Sequence, residues 1–433
     1  MCVFSVSTKG PHKFTSSILP SAPWRLLRPP IRHDVWPVWN LLMPQKNTSS
    51  IDQDPADLPL HGLRVIEFGQ FIAVPSAAQV LADLGADVIK VESPAGDAAR
   101  QSGWASDAAG PMFSAYNRGK RSVVLDLRSE QDREKARQLA VGADVVLQNA
   151  RPGSMEKVGL GPDRLLALAP RLIYGQVSGF GQQGPSSIRA GFDIAAQAES
   201  GMMSLNGEAG RDPVRVGFTV VDVLAGQTLA TGVMASLIRR GVTGKGGLVD
   251  ISLIDVAVAA ISNAWAEYRL TQVMPLRKGN GQPTMAPAAD VLNTKDGQVV
   301  LSAYTEDHFS KLCQIIGKPE LAADPRFSTN KERVNHRELL MQTLEAALSD
   351  MSSEALCDLL AKGGVVAGAI RTLSQVEPGQ SGISKDLFVE VSYSDRKPIF
   401  IPGMPMNLDG VRRKSGHLPE LGEHTAEVLA TIG

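Results

Sequence analysis

The sequence predicts an α/β protein: a doubly wound, Rossmann-like large domain with a second, smaller α/β domain. Two observations carry that prediction. Short apolar strands alternate with helical segments from Leu63 to about residue 175, the order that builds a parallel sheet with helices on both faces. Beyond about residue 275 the pattern changes to a hairpin followed by several helices. The composition agrees, with 43% hydrophobic and 21% charged residues in 433, enough apolar material to bury a sizeable core.

The elements follow in order. Leu63–Phe68 is a short apolar strand. From Pro75 to Leu84, Ala77, Val80, Leu81 and Leu84 share one helical face and Gly85 stops the helix. Asp87–Glu92 is the next strand and completes a βαβ unit. Ser122–Leu127 reads as another strand, followed by a helix with Ser129 and Asp132 at capping-box spacing and Gly142 at its end. Val145–Leu147 and Leu172–Tyr174 are further strands, with a short helix from Pro162 to Leu168 between them. A literal Gly-x-Gly-x-x-Gly at Gly179, Gly181 and Gly184 comes after several completed units, not in the first βα turn. It reads as a glycine-rich loop, not a dinucleotide site. A long apolar helix runs from Val223 to Ile238, and Leu248–Leu253 is strand-like. Asn293–Leu301 resembles a hairpin, with helices near 305–316, 336–349 and 353–362, and a strand-turn-helix tail follows Pro398. The domain boundaries expected are a large domain over 59–260, a small one over 275–390, and a segment over 395–433 that returns to the first.

Residues 1–58 stand apart. Trp24, Trp36 and Trp39 lie here, with Lys9, Lys13, Arg25, Arg28 and Arg32 scattered among serines and prolines. Prolines 20, 23, 29 and 30 break the long amphipathic helix of an organelle transit peptide. The expectation is a poorly ordered extension, with Met43 a candidate start.

Charge and residue scarcity exclude several function classes. Forty-four Lys+Arg balance forty-five Asp+Glu, a net charge of −1, so no global field gathers nucleic acid or an anionic membrane. No stretch approaches about 20 unbroken apolar residues. Cys2, Cys313 and Cys357 are too few for a disulfide framework or a zinc site. A cytoplasmic protein with no resident metal and no permanently bound cofactor is expected. No histidine lies between His61 and His308, which removes a Ser-His-Asp or Cys-His site confined to the main α/β block. Carboxylates remain. Asp222 follows the apolar run Val216–Val221 and precedes the long helix. An aspartate there is ordinarily an N-cap. As a functional carboxylate it is expected to accept helix N-terminal N–H groups, with a lowered pKa that keeps it ionised. Asp193, in Gly191-Phe-Asp-Ile-Ala-Ala-Gln197, carries the same two readings, and local chemistry does not separate them.

Several motifs stand in family order: Gly62-Leu-Arg-Val-Ile-Glu-Phe68, Gly85-Ala-Asp-Val-Ile-Lys-Val-Glu92, Asn117-Arg-Gly-Lys-Arg-Ser-Val-Val-Leu-Asp126 and Asn149 to Gly153. Arg171-Leu-Ile-Tyr174, Ser178 to Gly181 with Gly184-Pro185, Thr243-Gly-Lys-Gly246 and Pro419-Glu-Leu-Gly-Glu-His-Thr425 follow. In these, the chain from Gly62 to Gly433 resembles the class III CoA-transferases, a family that includes formyl-CoA transferase and carnitine CoA-transferase relatives. The α-methylacyl-CoA racemases share the fold.

The resemblance implies an interlocked homodimer that moves coenzyme A from an acyl-CoA thioester to a carboxylic acid, with both as substrates. Neither nucleic acid nor membrane is a partner. It makes Asp222 the nucleophile, forming a mixed anhydride and then an aspartyl-CoA thioester. Gly279 and Gly281 resemble part of a glycine loop whose backbone N–H groups stabilise oxyanions. Arg128, Asn149 and Lys157 fall where relatives contact CoA. Ser93 stands where those relatives carry an arginine. Ile72 replaces a glutamine lining the site of formyl-CoA transferase, so that enzyme's formyl/oxalate specificity is not implied. Asp193 aligns with the aspartate of the racemases, but no histidine lies around 155–170 to partner it, so transfer is favoured over racemisation. His424 reads as a structural residue of the C-terminal turn. A non-catalytic CoA-binding relative is the remaining alternative; the retained Asp222 argues against it.

Overall fold

The computed structural model describes residues 58–432 except 104–108, 377, 380–381, 395 and 409–414. The extension expected over 1–58 therefore lies, apart from Leu58, outside the described residues.

Six parallel strands form the main sheet: β1 (Arg64–Phe68), β2 (Asp87–Glu92), β3 (Arg121–Val124), β4 (Val145–Gln148), β5 (Ile173–Ser178) and β6 (Gly247–Ser252). Their spatial order is β3-β2-β1-β4-β5-β6, with Val65 beside both Val88 and Val145. The connecting helices are α1 (Ala73–Asp83), α2 (Pro111–Tyr116), α3 (Glu130–Val141), α4 (Ser154–Lys157), α5 (Pro162–Leu168), α6 (Asp193–Glu199), α7 (Met202–Leu205) and α8 (Val220–Thr243). Alternate strand residues serve opposite faces. Val65, Val88, Val145 and Ile173 pack with Ala77 and Leu81 of α1 and Leu229 and Val233 of α8. Their neighbours Ile66, Ile89, Val146 and Tyr174 pack with Leu139 of α3 and Leu165 of α5. Burial on both faces explains why these strands read as continuous apolar runs.

Helix α8 spans 24 residues, long and apolar enough by composition to cross a membrane. Its stripe of Val221, Ala225, Leu229, Ala230 and Val233 belongs instead to the core against α1 and the sheet. The two helices meet where α8 carries Gly226: a Cβ there would collide with Ser76 Oγ and the Ala73 carbonyl. That approach sets the second turn of α8 against the first turn of α1.

After α9 (Leu253–Ala260) and α10 (Ser262–Thr271), an antiparallel sheet of β7 (Ala289–Asn293), β8 (Gln298–Ser302) and β9 (Val366–Ala369) forms. Around it lie α11 (Glu306–Ile315), α12 (Glu320–Ala323), α13 (Asn330–Asn335), α14 (Arg337–Leu348) and α15 (Ser353–Lys362). Leu292, Leu301, Phe309, Leu340, Leu344 and Leu360 share one core there. A third sheet, β10 (Phe388–Ser392), β11 (Ile399–Pro402) and β12 (Ser415–His417), packs through Val389 and Val391 on Ala99 and Phe113. The last helix, α16 (Thr425–Leu429), buries Val428 in the core beneath β3. The Ser122 amide donates to His424 Nδ1 (3.3 Å) and the His424 amide to the Ser122 carbonyl (2.9 Å).

Two local expectations are corrected. No side-chain cap bond forms at Ser129; the Asp132 carboxylate instead accepts the Asp126 amide (3.0 Å). Helix α8 starts at Val220 with Thr219 as its N-cap residue, so Asp222 lies within the first turn and caps nothing.

Candidate active site

The strand order reverses between β1 and β4, and in open α/β sheets the crevice at the carboxyl ends of such strands is where ligands bind. Asn149, just past β4, closes this point. Its Oδ1 accepts the Gln70 amide and its Nδ2 donates to the Gln70 carbonyl, both at 2.9 Å. The turn from β1 to α1 is therefore bound to the end of β4.

That turn is under backbone strain. Phe71 has φ 62°, a left-handed conformation costing about 1–2 kcal/mol for a residue with a Cβ. Buried charges hold it there. The Phe71 amide donates to Asp97 Oδ1 (3.2 Å), and Lys90 Nζ donates to the Gly69 carbonyl (2.7 Å). Lys120 Nζ donates to the Pro75 carbonyl (3.0 Å) and Asn117 Oδ1 (2.9 Å). Lys90 pairs with Glu67 (3.0 Å) and Asp97 (2.9 Å), and Lys120 with the other Glu67 oxygen (2.7 Å). The turn presents Phe71, whose ring meets Phe192 edge-on at 6.0 Å, and buries Ile72 at the start of α1.

Asp222 stands in a different environment. Asp193, 4% exposed, accepts through Oδ2 the amides of Val221 (2.7 Å) and Asp222 (3.3 Å), the N–H groups at the start of α8. Its Oδ1 accepts from Gln197 Nε2 (2.6 Å), and Gln197 Oε1 accepts the Val216 amide (2.8 Å). The helix donors expected to serve Asp222 are thus taken by Asp193. Burial first, and the neighbouring Asp193 charge second, push the Asp222 carboxyl up to about 7. The lowered pKa expected from its position before the helix is corrected: Asp193 occupies the stabilising position, and Asp222 receives the repulsion.

Tyr116, at the end of α2, also belongs here. Burial and then the Asp222 charge push its hydroxyl up. The sequence reading missed it, and its only signal was its place immediately before the Asn117-Arg-Gly-Lys-Arg121 run.

The remaining candidates scatter along the carboxyl side of the strands and into the loop before β7. Arg128, in the loop between β3 and α3, is exposed and bound to Asp126 (2.8 Å). Lys157, exposed, ends α4, the short helix after Asn149. Ser93 follows β2, and its hydroxyl turns to the Gly96 carbonyl (3.4 Å). Gly279 adopts φ 62° and donates its amide to the Gly207 carbonyl (2.9 Å). The Gly281 amide donates to the Lys278 carbonyl (3.3 Å), and a Cβ on Gly281 would strike the Asp290–Arg337 ion pair. In this conformation both amides are engaged, so the expected oxyanion role requires those bonds to be exchanged. Among the basic residues nearby, Arg211 faces Glu208 (3.7 Å), Arg277 donates to the Arg211 carbonyl (2.5 Å) and Lys278 faces Glu267 (3.9 Å).

Comparison with known proteins bears on this arrangement. The model of CoA-transferase family III matches residues 60–425. The succinate–glutarate CoA-transferase of Agrobacterium fabrum is 35% identical over 389 residues, covering 86% of this chain and 96% of that protein. A probable fatty acyl-CoA transferase of Mycobacterium tuberculosis is 38% identical over 388 residues, covering 86% of this chain and 98% of that protein. The crystal structure of a CAIB/BAIF family protein from Brucella suis superposes with a TM-score of 0.78 at 36% identity, over 87% of this chain and 99% of that one.

Proposed function

The chain belongs to CoA-transferase family III and moves coenzyme A from an acyl thioester to a carboxylic acid; from that premise we propose that Asp222 is the nucleophile. The observation that carries the reading is a carboxylate in the first turn of a core helix that, among the described residues, has no cation beside it and a basicity raised to about 7. A carboxylate of raised basicity is a stronger nucleophile than an ordinary aspartate. Its oxygen bonds to the donor carbonyl carbon and the C–S bond breaks, giving a mixed anhydride and CoA thiolate. The thiolate attacks the aspartyl carbonyl, expels the donor acid and leaves an aspartyl-CoA thioester. The acceptor carboxylate attacks that thioester, and the returning thiolate collects the acceptor acyl group and frees Asp222. Every step exchanges one activated acyl bond for another and needs no general base, so the absence of histidine from the main block is no obstacle.

Gly279 and Gly281 take the oxyanion role in this reading once their present amide bonds are exchanged. Asn149 contacts CoA at the switch point, with Arg128 and Lys157 beside its phosphates. Ile72 lines the acyl site. Dicarboxylates are the favoured substrates, by analogy with the succinate–glutarate enzyme; the fatty acyl relative makes a long-chain donor the second reading. Racemisation is disfavoured because no histidine lies around 155–170 to partner Asp193, which is itself buried and holds backbone and Gln197.

The same reading takes 59–260 as the CoA-binding domain, doubly wound by its strand order, 275–390 as the small domain, and 395–433 as the returning segment. It includes an interlocked homodimer. Helix α10 buries none of its residues within the protomer, and Leu270, Ile238 and Val242 are each at least 73% exposed, an apolar surface that supports a second copy against it. A cytoplasmic setting agrees with Cys313 and Cys357 being free thiols.

The test is turnover of succinyl-CoA with a panel of mono- and dicarboxylates, followed by mass of the intact protein with and without hydroxylamine. The expected result is new acyl-CoA and a hydroxamate on the Asp222 peptide, absent in Asp222→Ala. Exchange of an α-proton into deuterated water with no transfer would replace this reading by racemisation.

A further inference from the structure

The hydrogen bonds around the start of α8 form a chain with a direction. Gln197, fully buried on α6, fixes the Val216 amide with its oxygen and Asp193 with its nitrogen. Asp193 then fixes the Val221 and Asp222 amides. Both ends of the segment 216–222, which delivers the nucleophile, are thereby tied to one face of α6. An asparagine there would still accept the two amides but would turn a donor toward Gln197 Nε2, so the clamp calls for a carboxylate, although a buried carboxylate beside a second carboxylate is ordinarily avoided.

We infer that Asp193 is a positioning residue for the transfer: clamped by Gln197, it holds the first turn of α8 and keeps a fixed negative charge beside Asp222, so that acylation of Asp222 is favoured over its free carboxylate. The inference rests on Asp222 being the nucleophile. When the Asp222 oxygen bonds to the thioester carbon and the C–S electron pair leaves with CoA, the negative charge leaves Asp222 and the repulsion from Asp193 ends. The free enzyme is raised in energy and the covalent intermediate is not.

Among the described residues, the surrounding elements supply no charge that would screen this pair. Helix α1 faces α8 with Ala73, Ser76 and Ala77, and its acid, Asp83, pairs with Arg118. The other acid of α6, Glu199, pairs with Arg189. On β6, Asp250 accepts from Gln176 (3.1 Å); on α9, Asp255 accepts from Ser252 (2.6 Å); on β5, Tyr174 donates to the Leu160 carbonyl (3.0 Å). Tyr116 of α2 is the group that shares the Asp222 field. Burial acts in the same direction as Asp193, and Asp222 titrates at about 7.

The experiment is the rate of covalent adduct formation from succinyl-CoA, read by intact mass from about pH 5 to 9, on the full-length wild type, Asp193→Asn and Asp193→Glu. Asparagine keeps an acceptor for the two amides, loses the bond from Gln197 Nε2 and removes the charge, so the midpoint is the readout of the charge; glutamate keeps the charge. The rate is expected to rise through a midpoint near 7 in the wild type. In Asp193→Asn the midpoint falls by about one pH unit and the plateau rate drops at least about tenfold. Asp193→Glu keeps the wild-type midpoint. An unchanged midpoint in Asp193→Asn, with the adduct still on Asp222, overturns the role of Asp193 and leaves the nucleophile standing. Absence of any adduct on Asp222 in the wild type while CoA transfer continues overturns both. Should Asp193→Asn fail to fold, carboxyl-carbon NMR of aspartate-labelled wild type decides: the Asp222 titration step must shift the Asp193 carbon, and its indifference overturns the inference.

Discussion

Two groups of carboxylates, one beneath the β1–α1 turn and one at the start of α8, are treated in opposite ways. Beneath the turn, Glu67 and Asp97 face Lys90 and Lys120 at 2.7–3.0 Å, with Glu67, Lys90 and Lys120 fully buried. Every charge there has an opposite one. Burial alone would lower Lys90, yet Glu67 and Asp97 outweigh it and the group is raised; Asp97 and Glu92 are lowered although burial opposes this. At the start of α8, Asp222 is half-buried beside Asp193, and among the described residues no cation answers it. A cluster whose charges cancel fixes backbone: it holds Gly69, Phe71 and Pro75 in place. A carboxylate left without a cation stores energy that only a change of its charge releases, and acylation is such a change. Paired burial here serves the fold; in the proposed reading, unpaired burial serves the reaction.

This contrast can be broken or sharpened by substitution. The largest effect belongs to Asp222→Asn, which should lower CoA transfer at least about 10⁴-fold, as loss of a nucleophile does, while leaving the circular dichroism spectrum unchanged. Next is Glu67→Gln. It leaves two buried ammonium groups short of a partner and should cost about 3–5 kcal/mol in urea unfolding; a loss under about 1 kcal/mol would remove the structural half of the contrast. A smaller effect is the acid limb of transfer, which should have a midpoint near pH 7 because Asp222 must lose its proton to attack. A limb near pH 4 would mean that Asp222 is an ordinary aspartate. The smallest effect belongs to Arg128→Ala. Because Arg128 is 85% exposed and already bound to Asp126, KM for the acyl-CoA should rise no more than about fivefold with kcat unchanged.

Much of the fold was legible because its signals are local. Strand β2, helix α5 and helix α15 fall at the residues that periodicity marks. Helix α8 begins three residues earlier than its apolar run suggests, because Thr219 and the Asp193 clamp set its start, and neither contact is visible along the chain. Short helices were harder: α2 and α6 have one or two turns and too few residues for a period to register. The site was legible as far as residue types went. Asp222 was singled out by its place before a helix, but the direction of its pKa was misread, since that direction depends on Asp193, 29 residues earlier. The charge cluster was not legible at all. Glu67, Lys90 and Lys120 lie on or beside three strands, and only the pairing of β1 with β2 and β2 with β3 brings them together.

The most direct test of the claim that Asp222 is held against its own charge is the unfolding free energy of wild type and Asp222→Asn at about pH 8 and about pH 4, at one protein concentration. The folded pKa, about 7, lies above the 3.8 of an ordinary aspartate. Asp222 therefore costs nothing below 3.8, becomes progressively unfavourable as pH rises, and carries its full penalty above 7. At about 1.4 kcal/mol per unit, the account predicts that Asp222→Asn is the more stable protein at pH 8, by a few kcal/mol, with most of that gain gone at pH 4. A variant less stable than wild type at pH 8 would contradict it, and would place Asp222 with Glu67 among the carboxylates that hold the fold.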